Sequence, residues 1–248
     1  MNKRYVRSNG LIFDLGMNNG DDTAYYLKKA VRVVAVEANP GLASEARARF
    51  DGEIRSGRLS IHQLAIWNDY GRVPFHISRE NSHWSSLESQ WADRNGGGTE
   101  AVQVECVPLA HLFALHGVPY FLKIDVEGVD ESVIDQLEPL PYIPAYISME
   151  DCRFGFRYVE KLTALGYDGF KLSNQALVAE LADEAVNHRF PAGSSGPLGE
   201  QVPGEWHDPA SFLHLYEQQV RSRDNERRSP PGVWWDIHAR CGSPDKLI

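Results

Sequence analysis

Cysteine is scarce in this sequence: Cys106, Cys152 and Cys241 are the only three in 248 residues, and no two form a C-x-x-C pair. That spacing argues against a disulfide framework and against a zinc site built on cysteine, and reduced thiols fit a cytoplasmic protein. Long apolar runs are missing as well. No stretch approaches the roughly 20 apolar residues that span a bilayer, and Met1 to Gly10 carries charges where a signal peptide would be apolar. Membrane insertion is not expected, and a cytoplasmic location is the simplest expectation. Positive charge is also in short supply, with 25 Lys and Arg against 34 Asp and Glu for a net charge of −9. This balance opposes binding to phosphate backbones, so no nucleic-acid partner is expected. The local basic run Arg221, Arg223, Arg227 and Arg228 reads as a solvated helix face.

What remains is an ordinary globular composition, 42% apolar and 24% charged, which is enough to build one core at this length. Short β-branched runs alternate with segments of helical period. Leu11–Leu15 reads as a strand, followed by a glycine turn and a helix with Asp22 and Thr23 at its cap and Ala24, Leu27 and Val31 on one face. Val31–Val36 is the next strand, and Asn39-Pro40 starts the next helix. Leu59–Ile66 reads as a third strand with Val73–Ile77 pairing to it. Val102–Val107, Tyr120–Asp125, Ala145–Met149 and Tyr167–Leu172 supply further strands, the last of these closing the core. Val129–Leu137 and Arg157–Leu165 are crossover helices between them. The expectation is a doubly wound α/β fold with a mainly parallel sheet. Residues 1–175 would form the catalytic core and 176–248 an appendage packed on it, with a helix over Ser211–Arg228 and a candidate acceptor lid at Phe190–Trp206.

Ligands in such sheets bind beyond the carboxyl ends of the strands, so the turns after each strand carry the chemistry. The first turn is Asp14-Leu15-Gly16-Met17-Asn18-Asn19-Gly20. Its D-x-G-x-x-x-G spacing lacks the second close glycine that a dinucleotide pyrophosphate requires, which weakens the case for an NAD(P)-dependent oxidoreductase. A zwitterionic amino-acid tail fits the turn better. Glu37 ends the second strand at the distance where an acidic residue meets a ribose, and its carboxylate can accept both ribose hydroxyls. Together the two turns point to a nucleoside cofactor.

The sequence resembles the FkbM-type S-adenosylmethionine-dependent methyltransferases. The resemblance rests on Ile12-Phe13-Asp14-Leu15-Gly16-Met17-Asn18-Asn19-Gly20, Val36-Glu37-Ala38-Asn39-Pro40, Ser85-Ser86-Leu87 and, most specifically, Leu122-Lys123-Ile124-Asp125-Val126-Glu127-Gly128. It implies a class I methyltransferase (Rossmann-like) sheet of seven strands with the last one antiparallel. It also implies that Gly16, Asn18 and Thr23 line the methionine end of the cofactor, Glu37 the ribose, and Ala65 with Ile66 the adenine, with Ser86 approaching from a loop. Asp14, Met17, Asn19, Ala38 and Asp125 complete the implied cofactor set. One departure is Leu109-Ala110, where the family would have Leu-Asp.

Methyl transfer from a sulfonium is an in-line displacement, so alignment and exclusion of water carry most of the rate, and a hydroxyl acceptor also needs a base or a metal. Asp125 and Glu127 end one strand and Glu150 with Asp151 ends the next. Two mechanisms follow. Asp125 or Glu150 takes the acceptor proton while Glu127 positions cofactor or substrate, or Asp125, Glu150 and Asp151 hold Mg²⁺. A purely structural role for Glu127 and Asp151, as helix caps, stands beside these. Among the histidines, His83 in the serine loop is the strongest candidate, ahead of His111 and His238. Trp234-Trp235-Asp236 reads as a packing face more readily than as a sugar platform. The expected activity is O-methylation of a hydroxyl on a sugar, glycan or natural product. No N-P-P-Y follows the central strand, which disfavours a nucleic-acid amine as acceptor. A noncatalytic nucleoside-binding domain remains the alternative from a different class. The aromatic-rich C-terminal part is a candidate homodimer contact.

Overall fold

The structure, a computed structural model, describes residues 3–242. Strands β1 (Leu11–Leu15), β2 (Arg32–Val36) and β3 (Leu59–His62) alternate with helices α1 (Asp21–Lys29) and α2 (Pro40–Arg49). A hairpin of β4 (Gly71–Ser78) and β5 (Thr99–Val107) interrupts this rhythm. It resumes through α3 (Leu109–His116), β6 (Phe121–Ile124), α4 (Asp130–Asp135), β7 (Tyr146–Glu150), α5 (Gly155–Ala164) and β8 (Gly169–Asn174). Helix α6 (Pro209–Gln219) and strand β9 (Trp235–Arg240) follow.

Seven of these strands make one sheet in the order β8-β9-β7-β6-β1-β2-β3. The pairs from β7 through β3 are parallel, and β9 is antiparallel to both its neighbours. Every residue of β1 and β6 is buried, as near-continuous apolar strands covered on both faces must be. One face packs Phe13, Leu122, Ile147, Tyr158 and Phe212. The other packs Ile12, Phe121, Tyr25 and Tyr26. The chain runs outward from β1 to β3 and later from β6 to β7, so the order reverses between β1 and β6. That reversal opens a crevice beyond their carboxyl ends.

The structure corrects several expectations. Asp22 and Thr23 do not cap α1 but lie in its first turn, and Gly20 takes the cap position at φ 81°. The helix ends at Lys29, which leaves Val31 76% exposed in the connection to β2. The third strand breaks after His62. Ala65–Ile66 leaves the main sheet and pairs with β5, and Val73–Ile77 also pairs with β5 rather than with Leu59–Ile66. Helix α6 stops at Gln219, capped at its start by Asp208, whose carboxylate accepts from the amides of Ala210 and Ser211. The basic run is therefore loop, not helix. It doubles back so that Arg228 N donates to Val220 O at 2.8 Å and Arg221 reaches Asp151 at 3.0 Å.

The largest correction concerns the last strand. Tyr167–Leu172 falls in the edge strand β8 but is not the final strand of the core along the chain, because β9 inserts between β7 and β8, and part of the segment after residue 175 thus belongs to the core sheet. Its sequence hides this. Asp236 and His238 alternate with Ile237 and Ala239 like a half-exposed surface strand, yet all four are buried. The antiparallel seventh strand that the resemblance implies is β9. The departure at Ala110 is also resolved: this residue is exposed, and the amide of Leu109 at the start of α3 donates to the side chain of Gln136 at 2.7 Å.

Candidate active site

The site begins where β1 ends. The amides of Gly16 and Met17 both donate to Val36 O, and Asp125 N donates to Leu15 O at 2.9 Å, which draws three strand ends together. Gly16 sits at φ 83°, and a β-carbon there would lie 1.8 Å from the carbonyl oxygen of Asp125. Only glycine fits both the left-handed backbone and that approach. Glu37 ties the first two turns together, one carboxylate oxygen accepting from Asn18 N at 2.8 Å and the other from Asn39 N at 2.7 Å. Burial pushes Glu37 up to about 7 against the opposing pull of those two amides. Each of its oxygens keeps a free lone pair.

Beyond β6 the chain crosses a strained corner. Glu127 has φ 53° and Gly128 φ 92°, and a side chain at Gly128 would strike the ring of Trp91. Asp130 braces the corner by accepting from the amides of Val126 and Gly128, and α4 has no side-chain cap, so Glu127 does not serve as one. Glu127 instead accepts from Trp91 Nε1 at 2.8 Å and pairs with Arg94 at 3.2 Å. Burial and the neighbouring Asp125 nevertheless push it up to about 8. Ser86, fully buried, locks the serine loop onto this corner by donating to Glu127 O.

A buried lysine, Lys123, organises the acids beneath. Its ammonium lies 3.0 Å from Asp125, 3.4 Å from Asp22 and 3.7 Å from Asp14. Burial opposes this charge, but the three carboxylates hold the ammonium well above its ordinary pKa. Asp14 also accepts from Thr23 Oγ1, and burial raises it to about 6. Register sets Glu150 on β7 directly opposite Asp236 on β9. Burial, then the surrounding acids, raise both well above the usual carboxylate range. Both are therefore harder to ionise than an ordinary carboxylate, and neither makes an ion pair among the described residues as Asp125 does with Lys123. Asp151 turns away from this cluster to Tyr216 Oη and Arg221.

Two cavities meet over these strand ends. The first, about 600 Å³, runs from Gly16 and Asn18 past Glu37 and Ala38 to an apolar end at Ala65, Ile66 and Phe75. The second, about 1110 Å³, is walled by Glu150, Gln175, Asp236 and Trp234. His83, Asp125 and Glu127 line both. The first suits an amino-acid-bearing nucleoside: Asn18 Oδ1 is buried without a donor among the described residues, Glu37 can still accept from hydroxyls, and the far end is apolar enough for a base.

Of the residues singled out in the sequence, Gly16, Asn18, Glu37, Ala38, Ala65, Ile66, Asp125 and Glu127 line the first cavity. Asp14, Met17, Thr23 and Ser86 are buried outside that lining, and Asn19 bonds Asp21 instead. His111 lies against Tyr70, and His238 is buried with both ring nitrogens unpartnered among the described residues. Burial and the nearby Lys171 push His238 down to about 3, so it is neutral. In the segment Phe190–Trp206, Ser194 to Gly199 are buried and Ser195 N donates to Asp22, whereas 191–193 and 203–205 are exposed, and Gly193, Ser194 and Ser195 line the second cavity. Lys123, Arg94 and Gln175 were missed. A charged residue inside an otherwise apolar strand was the available signal for Lys123, while Gln175 carried none.

The sequence matches the methyltransferase FkbM domain over residues 14–186. No curated protein matches it. Among solved structures, it is similar to the methyltransferase FkbM from Methylobacillus flagellatus KT, at 13% identity and TM-score 0.44 over 68% of this chain and 41% of that one. It is also similar to precorrin-6y C5,15-methyltransferase from Geobacter metallireducens GS-15, at 14% identity and TM-score 0.41 over 96% and 82%. A third is the C-terminal domain of precorrin-6Y C5,15-methyltransferase from Rhodobacter capsulatus, at 11% identity and TM-score 0.44 over 95% and 82%. The chain thus spans only 41% of the length of the first of these. No described helix is long and apolar enough to cross a membrane. The domain match takes in well over half of the chain, including both cofactor-side turns and the Asp125–Gly128 corner, and the chain belongs to the FkbM-domain methyltransferase family, whose membership implies S-adenosylmethionine as the methyl source.

Proposed function

We propose that this protein methylates a hydroxyl group of a polyhydroxylated small molecule or glycan. The observation that carries this is the junction of the two cavities at His83, Asp125 and Glu127, with a nucleoside-shaped pocket on one side and a polar, carboxylate-walled pocket on the other. When bound, S-adenosylmethionine supplies an electrophilic methyl carbon. In this reading Gly16 and Asn18 hold its amino-acid end, Glu37 its ribose, and Ala38, Ala65 and Ile66 its base. Asp14, Met17, Asn19, Thr23 and Ser86 fix the turns that carry those contacts.

The chain must then orient the acceptor and take its proton. Glu150 suits the second task, because a carboxylate whose pKa is raised by burial is a stronger base once ionised than one held by a lysine, as Asp125 is. Asp125 orients the hydroxyl at the junction, and Glu127 stiffens the corner. Direct proton transfer is favoured over Mg²⁺ because Asp151 is committed to Arg221. The ligand atoms that do converge, on Glu127, Glu150 and Cys152 within 4.8 Å of one another, include a thiol, which Mg²⁺ disfavours.

Calorimetry with S-adenosylmethionine, S-adenosylhomocysteine and NADH tests the cofactor assignment. Micromolar binding of the first two, no binding of NADH, and a loss of at least about tenfold in Glu37→Ala are expected. Failure of both sulfur nucleosides to bind would overturn the proposal, and activity recovered only by adding Mg²⁺ after chelation would replace direct base catalysis.

A further inference from the structure

The acceptor cavity does not end at Trp234. Past Arg94, Glu150, Arg227 and Trp234, which line both, it continues into a groove of about 570 Å³. That groove gathers Arg94, Arg153, Arg221 and Arg227 in a chain whose net charge is −9, so composition does not account for the local positive charge. Two of the four are neutralised within the chain, Arg94 by Glu127 at 3.2 Å and Arg221 by Asp151 at 3.0 Å. Arg153 and Arg227 have no carboxylate partner among the described residues.

Both are nevertheless held in place. Arg227 donates through Nε and Nη2 to Ser229, to Pro230 O at 2.9 Å and to Val233 O at 2.5 Å, with no such bond from Nη1. The guanidinium of Arg153 lies over the ring of Trp91 at 5.2 Å. Trp235, on the same groove, has a buried indole N–H with no acceptor among the described residues. The two acids that line the groove pair with neither of them: Asp151 is bound by Arg221 and Tyr216, and Glu150 stands opposite Asp236 in the strand register. A groove with two guanidiniums that pair with no carboxylate among the described residues, and an unpaired N–H donor beside them, is chemically complementary to an oxyanion, which arginine forks bind bidentately.

We infer that this groove binds an anionic group of the acceptor, a phosphate or a carboxylate, and thereby seats the reactive hydroxyl in the adjoining cavity. The inference rests on the acceptor reading of that cavity. It narrows the substrate class from polyhydroxylated compounds in general to those carrying a phosphoryl or carboxyl group a few bonds from the methylated oxygen.

Trp91, Trp234 and Trp235 line the groove, so tryptophan fluorescence reports on it directly. The whole protein, saturated with S-adenosylhomocysteine, is titrated with inorganic phosphate, pyrophosphate, acetate and the neutral control glycerol. A saturable response to phosphate or pyrophosphate, weakened by added KCl and absent with glycerol, is expected. Arg153→Gln should weaken it about tenfold. Arg153 is exposed and makes no side-chain hydrogen bond among the described residues, so this variant tests the groove without disturbing the fold. Adding Arg227→Gln should abolish the response. Acetate binding as well as phosphate would assign a carboxylate, and phosphate alone a phosphoryl group. No saturable response to any anion, or one unchanged in Arg153→Gln and in the double variant, overturns the inference. Calorimetry of S-adenosylhomocysteine on the same samples separates the two failures: loss of nucleoside binding in the wild type sinks the methyltransferase reading, whereas intact nucleoside binding without an anion response sinks the groove alone.

Discussion

The two cavities are built in opposite ways. The first is walled by turns whose geometry the backbone dictates: amides of Gly16 and Met17 on Val36 O, Glu37 bridging Asn18 and Asn39, and a glycine pressed against the Asp125 carbonyl. The second is walled by side chains brought from distant parts of the chain, including Glu150, Gln175, Ser194, Arg227 and Asp236. The first lies wholly within the matched domain at residues 14–186, while Ser194, Arg227, Trp234 and Asp236 lie beyond it. A cofactor common to a family calls for a fixed backbone cradle. An acceptor that differs between members can be accommodated by exchanging side chains on a late strand and its loops.

If that contrast is right, the cofactor side should be intolerant of even one added methyl. Gly16→Ala places a β-carbon 1.8 Å from the Asp125 carbonyl oxygen at a φ of 83°. Neither strand end can retreat without breaking the ladder between β1 and β6, so a destabilisation of about 3 kcal/mol is expected. For a chain of this size that corresponds to a fall of roughly 6–12 °C in melting temperature. Thermal melting and calorimetry together check it, and the variant should bind no S-adenosylhomocysteine. A well-folded Gly16→Ala protein with ordinary nucleoside affinity would show that the turn is adaptable and erase the contrast.

The acceptor side should respond in rate before it responds in stability. Glu150→Gln keeps the size and much of the polarity of the side chain but removes the base, so turnover should fall about 100-fold with cofactor affinity unchanged. The pH profile carries the sign. Because burial and neighbouring acids raise the pKa of Glu150, it ionises at higher pH than an ordinary carboxylate. Wild-type turnover should therefore climb as pH rises beyond the usual carboxylate range, and the variant should lose that dependence. An unaltered pH profile in the variant would move the base to Asp125.

This division also explains what was legible in the sequence. Gly16, Asn18, Glu37, Ala38 and Asp125 follow their strands directly, so strand assignment alone places them at the crevice. The strands of the main sheet could be located along the chain in the same way, except for β9. Its Asp-Ile-His-Ala pattern marks a surface strand by period, and only the tertiary fold buries its polar side. Missing β9 meant missing Asp236, and with it the pairing that opposes Asp236 to Glu150. Lys123 lies within the most specific motif, but nothing in linear spacing brings Asp14 and Asp22 to it, so the sequence does not show it as the cation among three carboxylates. Between packing face and platform, the sequence leaves Trp234 and Trp235 open, and both line the groove beside the second cavity.

Gln175 gives the finest test of the contrast. It is 3% exposed, and neither its amide oxygen nor its amide nitrogen has a partner among the described residues, although it lines the second cavity. A structural side chain in that condition is a liability, since an unsatisfied buried polar group costs about 1–3 kcal/mol. Replacing it with the similarly shaped apolar Met removes the liability, so Gln175→Met should raise stability by about 1 kcal/mol, roughly 2–4 °C in melting temperature. If the amide instead awaits the acceptor, as a donor and acceptor pair matched to adjacent hydroxyls, the same variant should raise the acceptor KM about tenfold with little change in turnover. The two effects in one protein, more stable and poorer at holding substrate, are what a residue kept for binding rather than folding produces. A destabilised variant with an unchanged KM would mean that Gln175 serves the fold, and that the acceptor wall is set by Glu150 and Asp236 without it.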